Sequence, residues 1–241
     1  MSSRSNIFCL PFAGGNKYSY RQLKEYAPSF LNFISLEYPG RGARIREPLL
    51  NDTTALTDDI YNNILPLLNG DSYAIYGHSL GGLMTYLLTK KLVENNHQLP
   101  AHLFISGTTG PSSIARTEKK RHLLQKEEFI QELKDLEGIP DEILQNEELL
   151  DYYEPIIRSD FMASENYIYQ DGEPLDIPIT VITGTSEDME KPDIDLWQNE
   201  TTHLVDFKRL PGNHFFIYKH PQTIIQIISK KILLTTKVYQ T

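Results

Sequence analysis

Six short apolar runs, rich in β-branched and aromatic residues, recur along the chain with amphipathic helical stretches between them. That alternation most limits the folds open to it. The runs fall at 7–10, 33–37, 72–76, 102–106, 179–183 and 202–210, and helical periodicity occupies 18–26, 54–68, 80–94, 193–200 and 223–234. Strand–helix–strand repetition of this kind predicts an α/β fold, a mostly parallel sheet with helices on both faces. Turn formers mark the joins, among them Pro39-Gly40, Asn69-Gly70-Asp71, Pro178 and Pro211-Gly212. A chain of 241 residues suits one large domain, 1–241, better than two.

The stretch from about 111 to 178 breaks the rhythm. It is polar, has no convincing strand, and its clearest helices are 126–136 and 141–153. An insertion of that length between two core strands is expected to be a lid or a binding surface.

The formal charge of −9 argues against nucleic acid or an anionic membrane as partner. It leaves room for an acidic protein partner only where basic surface is gathered locally. The one compact basic group, Lys119-Lys120-Arg121 with Arg116 nearby, reads as a solvated helix face. No apolar run approaches the roughly 18–20 residues that cross a bilayer, and no secretory-signal pattern opens the chain. The single cysteine, Cys9, lies in a strand pattern and suits a reducing cytoplasm. A cytoplasmic monomer is expected.

Gly77-His78-Ser79-Leu80-Gly81 carries the chemistry. It fits G-x-S-x-G, with a strand pattern before it and a helix pattern after it. A serine in such a corner is held in a strained conformation that exposes its hydroxyl, and the glycines remove Cβ atoms that would clash in the turn. A serine hydroxyl needs a base, and the base needs an acid to orient it. Of seven histidines, only His214 follows a strand through a Pro-Gly-Asn turn and precedes an aromatic pair, Phe215-Phe216. The acid is expected in the loop after the penultimate strand, where Glu187 and Asp188 are adjacent. Neighbours on an extended loop point in opposite directions, so one of the two meets the imidazole. Asp188, shorter and at the far end of the turn, is favoured, with Glu187 as the alternative. Two backbone N–H groups are needed for the oxyanion. Leu80 supplies one, and Ala13, in the glycine-rich loop Leu10-Pro11-Phe12-Ala13-Gly14-Gly15, is chosen for the other. Phosphate-loop, dinucleotide and metal-ligand spacings are missing, so neither cofactor nor metal is expected.

These residues resemble the type II thioesterases that accompany polyketide and nonribosomal peptide synthetases. The resemblance runs from about residue 7 to 234. It rests on the 10–15 loop, Tyr38-Pro39-Gly40-Arg41-Gly42 with Arg44, the elbow with Gly82, Ile157-Arg158-Ser159-Asp160-Phe161 with Glu165 and Tyr167, and Gly212-Asn213-His214-Phe215-Phe216. It implies an α/β-hydrolase fold with a mobile helical lid. The implied activity is hydrolysis of acyl groups held unproductively on the phosphopantetheine arm of acyl or peptidyl carrier proteins. The family usually places its acid three residues after the strand-ending glycine, which here is Glu187. Arg41, Arg44 and the Arg158–Asp160 stretch are equally well explained as structural ion pairs. Two rival readings are a carboxylesterase or lipase using the same serine, and an inactive hydrolase-fold scaffold that only docks a synthetase.

Overall fold

All six apolar runs become strands of one sheet in the computed structural model, which describes residues 4–138 and 145–238. They are β1 (Ser5–Leu10), β2 (Leu31–Ser35), β3 (Tyr73–His78), β4 (His102–Ser106), β5 (Ile179–Gly184) and β6 (Asp206–Leu210). Their spatial order is β2-β1-β3-β4-β5-β6, and every neighbouring pair is parallel. Parallel strands need crossover helices, which cover both faces. The helices are α1 (Arg21–Glu25), α2 (Thr53–Ile64), α3 (Leu80–Glu94), α4 (Ala115–Glu118), α5 (Lys126–Asp135), α6 (Glu147–Glu165), α7 (Lys191–Asp195), α8 (Phe216–Lys219) and α9 (Pro221–Val238).

Successive strand side chains enter opposite cores, as the pleat requires. Phe8, Leu10, Ile75, Leu103, Ile105 and Val181 pack with Leu56 and Ile60 of α2 and Met84 and Leu88 of α3. Their sequence neighbours Ile7, Cys9, Tyr76, Phe104 and Ile182 pack on the other face with Leu23 of α1 and Ile224 and Ile228 of α9. Burial pushes the Cys9 thiol up, the opposite of what a reactive thiolate needs. Because all strands run the same way, their carboxyl ends share one edge. The loops after β1, β3, β4, β5 and β6 open there, the usual ligand edge of such sheets.

Three sequence expectations are corrected. The last strand begins at Asp206 and not at 202, because Thr201 instead bridges to Leu175 outside the sheet. The second helix of the inserted segment, expected to stop at 153, runs to Glu165 straight through Pro155. Proline costs a helix one N–H bond, but burial of Leu150, Ile156, Ile157 and Ala163 along one face outweighs it here. Residues 141–144 of that expected helix lie outside the described ones. Finally, the basic run at 119–121 is not a solvated helix face. Lys119 and Arg121 both pair with Glu132, at 2.6 and 2.8 Å, and the Lys120 ammonium donates to the Glu165 carbonyl. No helix among the described residues is long and apolar enough to cross a membrane.

Candidate active site

Ser79 stands at the junction of β3 and α3 with φ +55° and ψ −119°, a conformation L-residues rarely adopt. The surrounding backbone enforces it. A Cβ at Gly77 would lie 2.0 Å from the Gly81 carbonyl oxygen, and one at Gly81 would lie 2.1 Å from that of Leu10. The Ser79 N–H donates to the Ser106 carbonyl at 2.8 Å, continuing the β3–β4 ladder past the strand end. The corner is thereby fixed by backbone contacts and by the Tyr20 hydroxyl, which accepts the His78 N–H at 3.1 Å, and the Ser79 hydroxyl is left to the cavity above it.

That cavity, about 770 Å³, lies between the carboxyl edge of the sheet and the inserted segment. Ser79, His214, Ala13 and Leu80 all line it. A smaller apolar recess of about 30 Å³ opens beside Ser79 between Phe12, Leu133, Ile157, Phe161 and Phe215. Among the described residues the Ser79 hydroxyl has no hydrogen-bond partner; a serine–histidine bond of this kind is commonly long until substrate is present.

His214 reaches the cavity through the turn predicted for it. β6 ends at Leu210, Gly212 takes φ +124°, and Phe216 N–H caps the Asn213 carbonyl at 3.0 Å. The imidazole Nδ1 lies 2.7 Å from Glu187 Oε1. Glu187, not Asp188, is therefore the carboxylate that meets the histidine, which corrects the preference for Asp188. The reason is the path of the loop after β5. Thr185 N–H donates to the Leu210 carbonyl at 2.8 Å and Ser186 N–H to that of Gly212 at 2.9 Å; two consecutive N–H groups facing β6 end the extended ladder at Gly184 and turn the loop back on itself. Glu187 then turns inward and accepts the Gly184 N–H through Oε2 at 2.5 Å, while Asp188 is left exposed on the cavity side. The Glu187 side chain is only 3% exposed.

His78 lies directly beneath His214, with ring centroids 4.8 Å apart. It is fully buried, and its Nδ1 shares a hydrogen bond with Ser106 Oγ at 3.0 Å. Burial holds its pKa well below the usual imidazole range; the adjacent His214 adds to this, and a weaker backbone contact with His214 opposes it. His78 is thus a neutral floor beneath His214. Ala13 and Leu80 stand where the sequence places them. No hydrogen bond takes up either backbone N–H among the described residues.

A strained serine at a strand–helix corner, with a histidine–carboxylate pair on neighbouring loops of a parallel sheet, defines the serine-hydrolase class built on the α/β-hydrolase fold. A family model described as thioesterase domain matches residues 5–232, and the chain belongs to that family. The gramicidin S biosynthesis protein GrsT of Aneurinibacillus migulanus is 30% identical over 234 residues, covering 97% of this chain and 91% of its own. The medium-chain S-acyl fatty acid synthase thioesterase of Rattus norvegicus is 29% identical over 216 residues, covering 88% and 81%. Among solved structures, ClbQ from the colibactin NRPS/PKS pathway superposes with a TM-score of 0.92 at 30% identity, over 98% of this chain and 100% of that one. The type II thioesterase BorB from the borrelidin biosynthetic cluster gives 0.86 at 28% identity, over 96% and 94%. The chain is a thioester hydrolase and groups with the type II thioesterases of such pathways.

Proposed function

We propose that this protein is a stand-alone editing thioesterase, which clears aberrant or stalled acyl groups from the phosphopantetheine arm of acyl or peptidyl carrier proteins. In this reading Ser79 is the nucleophile, His214 the base and Glu187 the acid, with Ala13 and Leu80 as oxyanion donors. The observation that carries it is one cavity lined by a strained Ser79 and by a His214 whose far nitrogen is held by Glu187. The names of the relatives support the carrier-bound substrate.

The reaction runs in two halves. Ser79 Oγ attacks the thioester carbonyl carbon as its proton passes to His214 Nε2, and the oxyanion develops against the Ala13 and Leu80 N–H groups. Collapse breaks the C–S bond, and His214 returns the proton to the pantetheine thiolate. A water molecule, deprotonated by His214, then attacks the acyl-serine, and the free acid leaves with Ser79 restored. Glu187 orients and stabilises the imidazolium in both halves through its contact with Nδ1. The acyl group lies in the larger cavity above Ser79, which is lined also by Leu136 and Phe161. The whole chain acts as one domain, a cytoplasmic monomer in which the inserted segment, described over 111–138 and 145–178, serves as a lid.

The test compares acyl–carrier-protein turnover by the wild type and by Ser79→Ala. The substitution is expected to abolish acyl release with no change in folding. Substantial turnover by the purified variant, or a wild type that prefers p-nitrophenyl esters to acyl–carrier protein, would contradict the proposal.

A further inference from the structure

The loop that carries Ala13 is a type II turn, and a residue from the inserted segment anchors it. Gly15 N–H donates to the Phe12 carbonyl at 2.8 Å, and Gly14 at the third position has φ +75°, the value that turn requires. Within the peptide joining Phe12 to Ala13, the N–H points opposite to the carbonyl. With that carbonyl turned in towards Gly15, the Ala13 N–H faces away from the turn.

The central peptide, joining Ala13 to Gly14, is what distinguishes this turn from its flipped alternative. Its N–H donates to Asp160 Oδ2 at 2.7 Å, across 146 residues of sequence. Asp160 lies on α6 and is fully buried. Arg41 grips both of its oxygens, Nη1 to Oδ2 at 2.5 Å and Nη2 to Oδ1 at 2.8 Å, and donates also to the Gly15 carbonyl at 3.3 Å. One turn before Asp160, Ile157 Cγ1 stands 2.6 Å from where a Gly14 Cβ would be. The α6 helix therefore touches the turn at its central peptide and at its glycine. From the sheet side Tyr20 and Tyr38 hydroxyls hold only the Leu10 and Pro11 carbonyls, at 2.8 and 2.9 Å.

We propose that Asp160, oriented by Arg41, is a positioning residue for thioester hydrolysis. By accepting the Gly14 N–H it anchors the turn as a whole to α6 and fixes the place from which the outward-facing Ala13 N–H meets the oxyanion, so the oxyanion site is complete only with α6 docked. This rests on the reading of Ala13 as an oxyanion donor. A carboxylate is suited to the task because a charge-assisted acceptor outcompetes water for a backbone N–H.

Asp160→Ala alone would strand a buried guanidinium and threaten folding. The informative pair is Arg41→Met with Asp160→Asn, against Arg41→Met with Asp160→Leu. Both lack the ion pair, and only the first keeps an oxygen for Gly14 N–H. The asparagine form is expected to stay within about fivefold of wild-type kcat, and the leucine form to lose roughly 10–100-fold in kcat with KM nearly unchanged. Binding of an acyl-pantetheine trifluoromethyl ketone, which forms an oxyanion on the serine, should weaken by the same factor as kcat falls. The two forms should melt at similar temperatures. Equal kcat in the two, or a loss expressed in KM or in melting temperature alone, would overturn the proposal. A wild type without Ser79-dependent thioester turnover would instead overturn the function proposed above.

Discussion

The sheet edge and the inserted segment meet at one cavity, but different forces hold them. At the edge, Ser79, Glu187 and His214 are placed chiefly by backbone hydrogen bonds between the strand ends and their loops, Ser79 to Ser106, Thr185 to Leu210 and Ser186 to Gly212, and the Glu187 carboxylate closes back on the Gly184 N–H. In the segment, α5 and α6 have a small apolar core around Phe129, Leu133 and Ile157. Ala163 of α6 joins the core of the sheet, Arg121 pairs with Glu132 of α5, and the buried Arg41–Asp160 pair ties α6 to the loop after β2. Backbone ladders do not depend on one side chain, whereas an ion-pair clamp does. The difference suits an edge that keeps reacting groups in fixed register and a segment that admits a bulky substrate.

The largest effect that sharpens this comparison is expected at the two adjacent carboxylates. Glu187→Gln should lower kcat by roughly 10³–10⁴-fold, since the imidazole loses its orienting charge. Asp188→Asn, one residue further along the same loop, should change kcat by less than about threefold. Steady-state kinetics on one acyl thioester decides it; comparable losses in the two variants would mean that the path of the loop after β5 does not determine which carboxylate acts.

A smaller effect concerns the acid sensitivity of the sheet. His102 is buried, with Nε2 at 2.8 Å from Thr180 Oγ1, and burial chiefly, with Lys231 and His203 adding and Asp206 opposing, pushes its pKa down to about 3. In the unfolded chain the same imidazole takes up a proton below about pH 6.5. Between those values the unfolded state binds more protons, so stability is full above pH 6.5 and is lost as pH falls towards 3. His102→Gln, which keeps a hydrogen-bonding amide and does not titrate, should remove on the order of 2–3 kcal/mol of the loss between pH 7 and pH 4. Thermal melts across that range should show a flatter profile for the variant; parallel profiles would place the acid-sensitive group elsewhere.

Much of the edge was legible in the sequence because its signals are local. Strand runs, the glycines around Ser79 and the Pro-Gly-Asn turn before His214 each depend on a few neighbouring residues, and the structure finds all six strands and α3 at its expected bounds. The choice between Glu187 and Asp188 was not legible from local chemistry. It depends on how the turn at 185–186 is tied to the end of β6 and to Gly212. The family spacing after Gly184 was the one signal that favoured Glu187. The inserted segment was read less well for the same reason. Pro155 looks like a helix end until the burial of Ile156 and Ile157 is seen, and the basic run at 119–121 looks solvated until Glu132 and Glu165 are brought beside it. Asp160 carried a sequence motif, but its contact with Gly14 spans most of the chain.

The central claim, that Ser79 accepts the acyl group, is tested most directly by trapping the intermediate. Wild-type protein mixed with an acyl–carrier protein, quenched in acid within the first turnover and digested, should yield the peptide containing Ser79 heavier by the acyl group, and Ser79→Ala should yield none. Acyl release with the adduct on another residue, or at full rate with Ser79 unmodified, would contradict the account.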